Sequence, residues 1–241
     1  MIQVRQLTKS FGAVTAVRQL SLDAPDGAIT GFLGANGAGK TTTLRTIAGV
    51  LKPDTGTIHI GGAAADGLGP SQSLGALLDH HGLYGRLTAR EHFTFFGRLR
   101  GLAGDQLAER VEETLSTLRL TSVADRRTSG FSQGERMKVA LGCALIHRPA
   151  HLLLDEPTNG LDVPTVRALR LLLKDLRDSG VCILFSSHVL SEIEGLCDRV
   201  IIVANGRVVA EGTVDEVRDR VDAAGLEDAF VKLTTAGECG C

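Results

Sequence analysis

The sequence has 241 residues, of which 43% are hydrophobic and 22% are charged. This is the composition of a globular protein, and it excludes a disordered or fibrous chain. The formal net charge of −2 lacks the basic excess that is typical of nucleic-acid binding, so we expect no nucleic-acid partner. No apolar run reaches the length of a membrane-spanning helix, and the first residues lack the features of a signal peptide. We therefore expect a cytoplasmic protein.

The five cysteines fall into two groups. Cys143, Cys182 and Cys197 lie in apolar segments, where buried free thiols of a reducing compartment are expected. Cys239 and Cys241 end the chain. An exposed tail without function is the favoured interpretation there, and a metal or redox pair is the alternative.

The first part of the chain is predicted to consist of short strands and one helix. Alternating apolar residues predict strands at 2–7 and 14–22, and a compact apolar run predicts a third at 28–33. A helix is predicted from Lys40 to Val50, where a proline–glycine turn ends it, and a further strand from Thr57 to Ile60.

Three consecutive helices are predicted between about residues 87 and 148. Thr88 with Glu91, and Ser132 with Glu135, have the spacing of capping boxes that begin helices. Another helix is predicted to begin near Gly104. Helices in succession without a strand between them indicate an all-helical insertion into an α/β body.

Strands and helices alternate again after Pro149. Strands are predicted at 151–155, 181–186, 200–203 and 208–211, and helices at 163–178 and 189–196. Asn205 and Gly206 predict a hairpin turn. Continuous apolar strands that alternate with helices indicate a largely parallel sheet covered on both faces. We predict one α/β domain at 2–230, with its core in about 1–86 and 149–215, the helical insertion in about 87–148, and a tail at 231–241.

Residues 34–41 match the pattern G-x-x-x-x-G-K-[ST] between a predicted strand and a predicted helix. Glycines let backbone N–H groups wrap around phosphates, and the positive end of the following helix favours an anion. Lys40 is expected to reach the β- and γ-phosphates, and the Thr41 hydroxyl to ligate Mg²⁺. The residues that we assign to nucleotide binding in this segment are Gly34, Asn36, Gly37, Ala38, Gly39, Lys40, Thr41 and Thr42.

Two carboxylates follow the apolar strand at 151–155. Asp155, at the tip of the strand, is placed to hold Mg²⁺. Glu156 points the other way and is expected to polarise an attacking water as a general base. Alone, two acids after a strand are equally typical of a helix cap. Their combination with the phosphate loop favours catalysis.

Ser132 precedes a predicted helix and is a natural N-cap. One interpretation is a capping box and nothing more. In the other, Ser132 and the N–H groups of Gln133 and Gly134 grip a phosphate of a nucleotide held elsewhere. The residues of this segment alone leave both interpretations open.

Together with Gly160 to Asp162 and Ser186 to His188, these motifs resemble the nucleotide-binding subunit of ATP-binding cassette (ABC) transporters over roughly residues 2–220. The resemblance implies an α/β P-loop NTPase core with a mainly parallel sheet, an N-terminal antiparallel β subdomain and an inserted helical subdomain. It also implies ATP as substrate and Mg²⁺ as cofactor. Two such domains dimerise head to tail in the family and bury two ATP between them.

The resemblance assigns further roles to individual residues. Ser132 and Gly134 would contact the γ-phosphate bound by the opposite protomer, and Asp162 would lie at the dimer interface. His188 would contact the γ-phosphate and orient Glu156. Phe11 matches the aromatic residue that stacks on adenine, although a phenylalanine before a glycine is also consistent with a core position. The resemblance thus implies Glu156, His188 and Lys40 as catalytic residues.

The sequence departs from the family pattern at two places. The signature L-S-G-G-Q has Phe131, Gln133 and Glu135 at its first, third and fifth positions here, so Glu135 adds a negative charge near the expected phosphate. At the position of the family's glutamine ligand of Mg²⁺ stands Asp79. We assign Asp79 as a metal ligand together with Thr41 and Asp155.

The segment 82–91 resembles exporter subunits of the sodium-extrusion and drug-resistance branch, where it forms a groove for a helix of the membrane subunit. We therefore expect an ATP-hydrolysing subunit that powers export through a separate integral membrane permease. Its partner would be a second copy of itself or a related ATPase subunit, at the cytoplasmic face of the plasma membrane. The alternatives are a soluble ABC-type ATPase for DNA, chromosomes or cofactor assembly, and a nucleotide-gated regulatory subunit. The presence of both Glu156 and His188 disfavours a regulatory subunit.

Overall fold

The computed structural model describes residues 1–65, 72–78 and 82–236. Asp79, Cys239 and Cys241 lie outside these ranges, so their assignments remain predictions. Within the described part, the chain forms two β-sheets and a set of helices. The predicted α/β fold with an antiparallel subdomain and a helical insertion is confirmed.

An antiparallel sheet comes from the N-terminal part of the chain. Its strands, in the order β2-β1-β4-β5, are β1 (Ile2–Phe11), β2 (Val14–Ala24), β4 (Thr55–Ile60) and β5 (Ala63–Ala64). The inward residues Ile2, Val4 and Leu7 of β1 are buried, and register shifts interrupt the pairing of β1 with β2 after Val4. Both long strands extend beyond the predicted lengths, β1 because Ser10 and Phe11 pair with Thr15 and Val14, and β2 because Asp23 and Ala24 pair with Gln3 and Ile2.

A second sheet forms the centre of the molecule. Its order is β10-β9-β3-β8-β7-β6, made of β3 (Ile29–Gly34), β6 (Leu74–Leu77), β7 (His151–Asp155), β8 (Cys182–Ser187), β9 (Arg199–Ala204) and β10 (Arg207–Gly212). Strands β9, β3, β8, β7 and β6 are parallel, and β10 returns antiparallel to β9. The parallel arrangement brings the carboxyl ends of β3, β7 and β8 to one edge, which is where ligands bind in open α/β sheets.

Eight α-helices occupy the described ranges: α1 (Lys40–Ile47), α2 (Ala89–Leu99), α3 (Gly104–Thr117), α4 (Gln133–Leu145), α5 (Val163–Asp178), α6 (Leu190–Glu194), α7 (Val214–Asp219) and α8 (Leu226–Ala236). Thr88 and Ser132 both form the predicted capping boxes. Strand β6 and helices α7 and α8 were not predicted, and α8 includes residues 231–236 of the predicted tail.

Two hydrophobic cores of described residues lie on opposite faces of the central sheet. One joins the antiparallel sheet and α1, with Phe32 and Leu44 among its buried residues. The other joins the helical insertion and α5, with Phe93 and Phe185. No helix in the described ranges is long and apolar enough to cross a membrane.

The three cysteines of the described ranges are free thiols, as predicted. Cys182 is buried, and Cys143 and Cys197 are partly buried. Burial raises the pKa of the Cys182 thiol to about 11 and also raises those of Cys143 and Cys197. All three are therefore protonated and unreactive at neutral pH.

Candidate functional site

The predicted phosphate loop connects the end of β3 to the start of α1. Gly37 and Gly39 have positive φ angles of 83° and 99°, a region that glycine adopts without strain. A Cβ on Gly34 would lie 2.6 Å from the Val203 carbonyl oxygen, and one on Gly39 would lie 2.5 Å from that of Ala16. The glycines therefore allow the loop to turn tightly against β9 and β2.

The N-terminus of α1 opens onto this loop. Gly39 is its N-cap, there is no side-chain cap, and the first turn contains no acidic residue. The first amide groups of a helix have no partner within the helix and carry a partial positive charge. This end of α1 is thus suited to an anion such as a phosphate.

Lys40 is buried, with a relative exposure of 6%. Its Nζ donates a hydrogen bond to the Gly34 carbonyl oxygen at 2.7 Å and lies 3.7 Å from Glu156 Oε1. A buried ammonium requires compensating negative charge, which the Glu156 carboxylate supplies here and which a phosphate supplies when it is bound. The surroundings of Lys40 fit the predicted role.

Asp155 is the last residue of β7 and is buried. The parallel register places it opposite Ser186 of β8, whose Oγ donates a 2.6 Å hydrogen bond to Asp155 Oδ1. The half-buried Thr41 lies at the start of α1. Carboxylate and hydroxyl oxygens are the hard ligands that Mg²⁺ prefers, so this donor set fits that ion.

Glu156 stands between two basic side chains. Its Oε2 lies 2.7 Å from His188 Nδ1, while Oε1 faces Lys40. Its φ of 49° places the backbone in the left-handed region, a conformation that costs energy outside glycine and clusters at functional sites. Hydrogen bonds from the Glu156 amide to the carbonyl and hydroxyl of Ser186 hold this conformation. The carboxylate is thereby kept at the phosphate-loop edge of the sheet.

A network that the sequence did not reveal holds the loop after Glu156. Glu192 Oε2 accepts hydrogen bonds from Thr158 Oγ1 at 2.6 Å and from Ser187 Oγ at 3.1 Å. The loop is thereby tied to the end of β8, next to His188. Since Thr158 and Glu192 are far apart in the chain, no short motif signals their contact.

The segment around Ser132 forms a different part of the surface. Ser132 Oγ accepts from the Glu135 amide, and Glu135 Oε2 accepts from the Ser132 amide at 2.8 Å. Arg126 pairs with the Glu135 carboxylate at 2.8 Å. Burial alone would raise the pKa of Glu135, but the hydrogen bonds from Ser132 and the charge of Arg126 keep it below its usual value. The negative charge that sequence reasoning placed near the phosphate is therefore compensated by Arg126.

Asp162 is the N-cap of α5 and accepts a 3.1 Å hydrogen bond from the Thr165 amide. Hydrogen bonds with Thr165 lower the pKa of its carboxyl group. Across the residues that the structure describes, no hydrogen bond or ion pair joins Ser132, Gly134 or Asp162 to Lys40, Glu156 or His188. One chain thus brings together the phosphate loop, Asp155, Glu156 and His188, whereas Ser132, Gly134 and Asp162 make no such bond to them.

Phe11 ends β1 and is 50% exposed. The ammonium of Lys9 lies 5.6 Å from the centroid of its ring. A core position for Phe11 is therefore wrong, and its ring is accessible to a ligand. Stacking on adenine remains a prediction.

Comparison with known proteins agrees with this geometry. The sequence profile described as "ABC transporter" matches residues 17–159. The "ABC transporter ATP-binding protein NatA" of Bacillus subtilis (strain 168) is 38% identical over 227 residues, covering 93% of this chain and 92% of NatA. The "Linearmycin resistance ATP-binding protein LnrL" of the same strain is 33% identical over 239 residues, covering 98% and 76%.

A solved structure described as the ATP-binding subunit of an ABC transporter has a TM-score of 0.88 and 31% identity, and covers 97% of this chain and 99% of its own. The chain belongs to the ABC transporter family, as one of its ATP-binding domains. It is an ATP hydrolase of the ABC type. The resemblance stated from the motifs is confirmed.

Proposed function

We propose that this chain powers export through a separate integral membrane permease, to which it binds at the cytoplasmic face of the plasma membrane. It works as a head-to-tail dimer, with a second copy or a related ATPase subunit, and two ATP molecules lie at the interface. The observation that carries the catalytic part is the position of Glu156 between Lys40 and His188 at the phosphate loop. The proposed role in transport is supported by the relatives, which are described as an ABC transporter ATP-binding protein and a linearmycin resistance ATP-binding protein.

The proposed chemistry follows from the contacts of these residues. The loop at 34–39, the amides at the start of α1 and the ammonium of Lys40 bind the phosphates of ATP. Thr41 and Asp155 hold Mg²⁺, which neutralises phosphate charge when bound; Asp79 is proposed as a further ligand from the sequence alone. Glu156 acts as the general base toward the attacking water. His188 keeps the Glu156 carboxylate in place and contacts the γ-phosphate.

The head-to-tail dimer is supported by the separation of two groups of residues. Ser132 and Asp162 are exposed at the N-termini of α4 and α5, and they do not bond to the phosphate-loop residues of their own chain. Both helix ends are therefore available to the ATP held by a second protomer. A dimeric ATP-binding cassette bound to ADP and Pi shares the fold with a TM-score of 0.79 at 24% identity.

Contact with a permease is supported by an exposed apolar surface, which we call the insertion patch. It consists of Tyr84, Phe95 and Leu99, all exposed. The rings of Tyr84 and Phe95 meet edge to face at 6.1 Å between centroids, and Phe95 and Leu99 are one turn apart on α2. Exposed apolar patches of this kind mark protein contacts. Tyr84 of this patch also lies within the segment 82–91 that resembles exporter subunits.

A membrane-recruitment experiment tests the permease contact. The double variant Phe95→Ser/Leu99→Ser is compared with wild type for co-sedimentation with native membranes of the source organism. Leu171→Ser, at an exposed leucine of α5, is the matched control. We expect the double variant alone to lose membrane binding while it retains ATP hydrolysis in solution. Membrane binding equal to that of wild type would refute docking at the insertion patch.

A further inference from the structure

The third position of the signature segment contains Gln133 where the family pattern has glycine. Its Nε2 donates a 3.1 Å hydrogen bond to the Asn159 carbonyl oxygen. The side chain also covers Gly160 so closely that a Cβ on that glycine would overlap the Gln133 amide. Asn159 and Gly160 follow Glu156 in the same loop, so Gln133 connects the start of α4 to the loop that carries Glu156.

This loop is held at a small number of points. The Asn159 amide donates to the Glu156 carbonyl oxygen at 3.1 Å, which closes a turn directly after Glu156. Thr158 bonds Glu192 on the side of β8. Gln133 holds the turn on the side of the helical insertion. These hydrogen bonds form a continuous path from the first turn of α4 through Asn159 to the backbone of Glu156.

We propose that Gln133 is a positioning residue for Glu156. It couples the docking of the partner's ATP against Ser132 to the placement of the general base in its own chain. The inference rests on the proposed head-to-tail dimer. In such a dimer, each site would thus adjust its base when the opposite site is occupied.

A purely structural role for Gln133 does not fit its surroundings. The side chain is exposed, and the start of α4 is already secured by the capping box between Ser132 and Glu135. The family pattern has glycine at this position, so the helix needs no side chain there. Substitutions at Gln133 should therefore leave the fold intact, which allows a kinetic test.

The test replaces the donor without changing the size of the side chain. Gln133→Glu removes the amide donor and places a carboxylate against the Asn159 carbonyl oxygen. We expect kcat for ATP hydrolysis to fall about threefold to tenfold, the range for one hydrogen bond, with KM for ATP within about twofold. Gln133→Lys, which keeps a donor, should restore most of the rate. Gln106→Glu, at an exposed glutamine of α3, makes the same charge change and should leave kcat unaltered.

A second background separates positioning of Glu156 from damage to the docking surface. If Gln133 acts through Glu156, then adding Gln133→Glu to the Glu156→Gln variant should not lower its residual single-turnover rate any further. The Glu156→Gln/Gln133→Glu variant should also form as much ATP-bound dimer in size exclusion as Glu156→Gln alone.

The inference is overturned by an unchanged kcat in Gln133→Glu, by an equal loss in both backgrounds, or by loss of the dimer in the double variant. Failure of the proposed function has a different signature. In that case the single variant Glu156→Gln, with Gln133 unchanged, forms no ATP-dependent dimer, even with the permease present.

Discussion

Replacement of Glu156 by glutamine separates chemistry from assembly. The carboxylate lies 2.7 Å from His188 Nδ1 and 3.7 Å from Lys40 Nζ. Glutamine keeps the size and one acceptor oxygen, but it removes the charge that polarises water. General bases contribute about 10²–10⁴-fold to rate, so we expect ATP turnover to fall by at least about 10²-fold.

The same substitution should not weaken ATP binding. Unit charges about 4 Å apart attract each other by roughly 4 kcal/mol at an effective dielectric constant of 20. Glu156 therefore competes with phosphate for the Lys40 ammonium and repels the γ-phosphate. Glu156→Gln removes both effects, and ATP should bind at least as tightly as in wild type. The closed dimer should accumulate as a result.

The assay is the mass in size exclusion with ATP, measured for wild type, Glu156→Gln and Glu156→Gln/Ser132→Arg. Ser132→Arg places a bulky side chain where the partner's ATP docks, so the double variant should bind ATP as a monomer. Loss of the Ser132 cap should cost about 1 kcal/mol, so we expect the double variant to remain folded. Thermal unfolding is measured alongside to check this. Lys40→Ala is the control that loses nucleotide binding itself.

Two results would refute this reasoning. One is turnover of Glu156→Gln close to the wild-type rate, which would remove Glu156 as the base. The other is a Glu156→Gln protein that forms no ATP-trapped dimer even with its permease reconstituted, which would exclude the head-to-tail mechanism.

Substitutions at three further positions test individual contacts. Phe11→Ala should weaken ATP binding by about 1–3 kcal/mol in calorimetry, the range for base–aromatic stacking, whereas Phe11→Tyr should be nearly neutral; unchanged affinity would exclude stacking. Burial and the nearby charge of Arg100 lower the pKa of His147 to about 4. Since unfolded histidine takes up its proton near pH 6.5, the free energy of unfolding should decrease as pH falls from 6.5 to 4, and His147→Gln should flatten this dependence in urea titrations. Gly142→Ala would push a methyl group into the buried ring of Phe93, so urea unfolding should show a loss of about 1–3 kcal/mol; unaltered stability would mean that the insertion relaxes freely.

Features that depend on residues close together in the chain could be predicted from the sequence. The phosphate loop needs glycines at positive φ directly before a helix, and Gly37 and Gly39 provide them within the motif. The capping boxes of Thr88 and Ser132 span three residues each, so their spacing identified them. Strand β7 and helix α5 lie within the predicted bounds, because a continuous apolar run and a 3.6-residue period are both local patterns.

Only the tertiary structure decided which of these pieces meet. The order of the parallel strands places the end of β7 beside the start of α1, and this brings the Glu156 carboxylate to Lys40 and His188. Strand β6 has four residues, too few for a period, and it exists because its backbone pairs with β7. The contacts of Glu192 with Thr158, and of Gln133 with Asn159, join segments that are distant in the chain. These hydrogen bonds need the partner segments to be packed side by side, Glu192 of α6 against the loop after β7 and Gln133 of α4 against the same loop. The physical cause is therefore packing, which no single stretch of sequence encodes by itself.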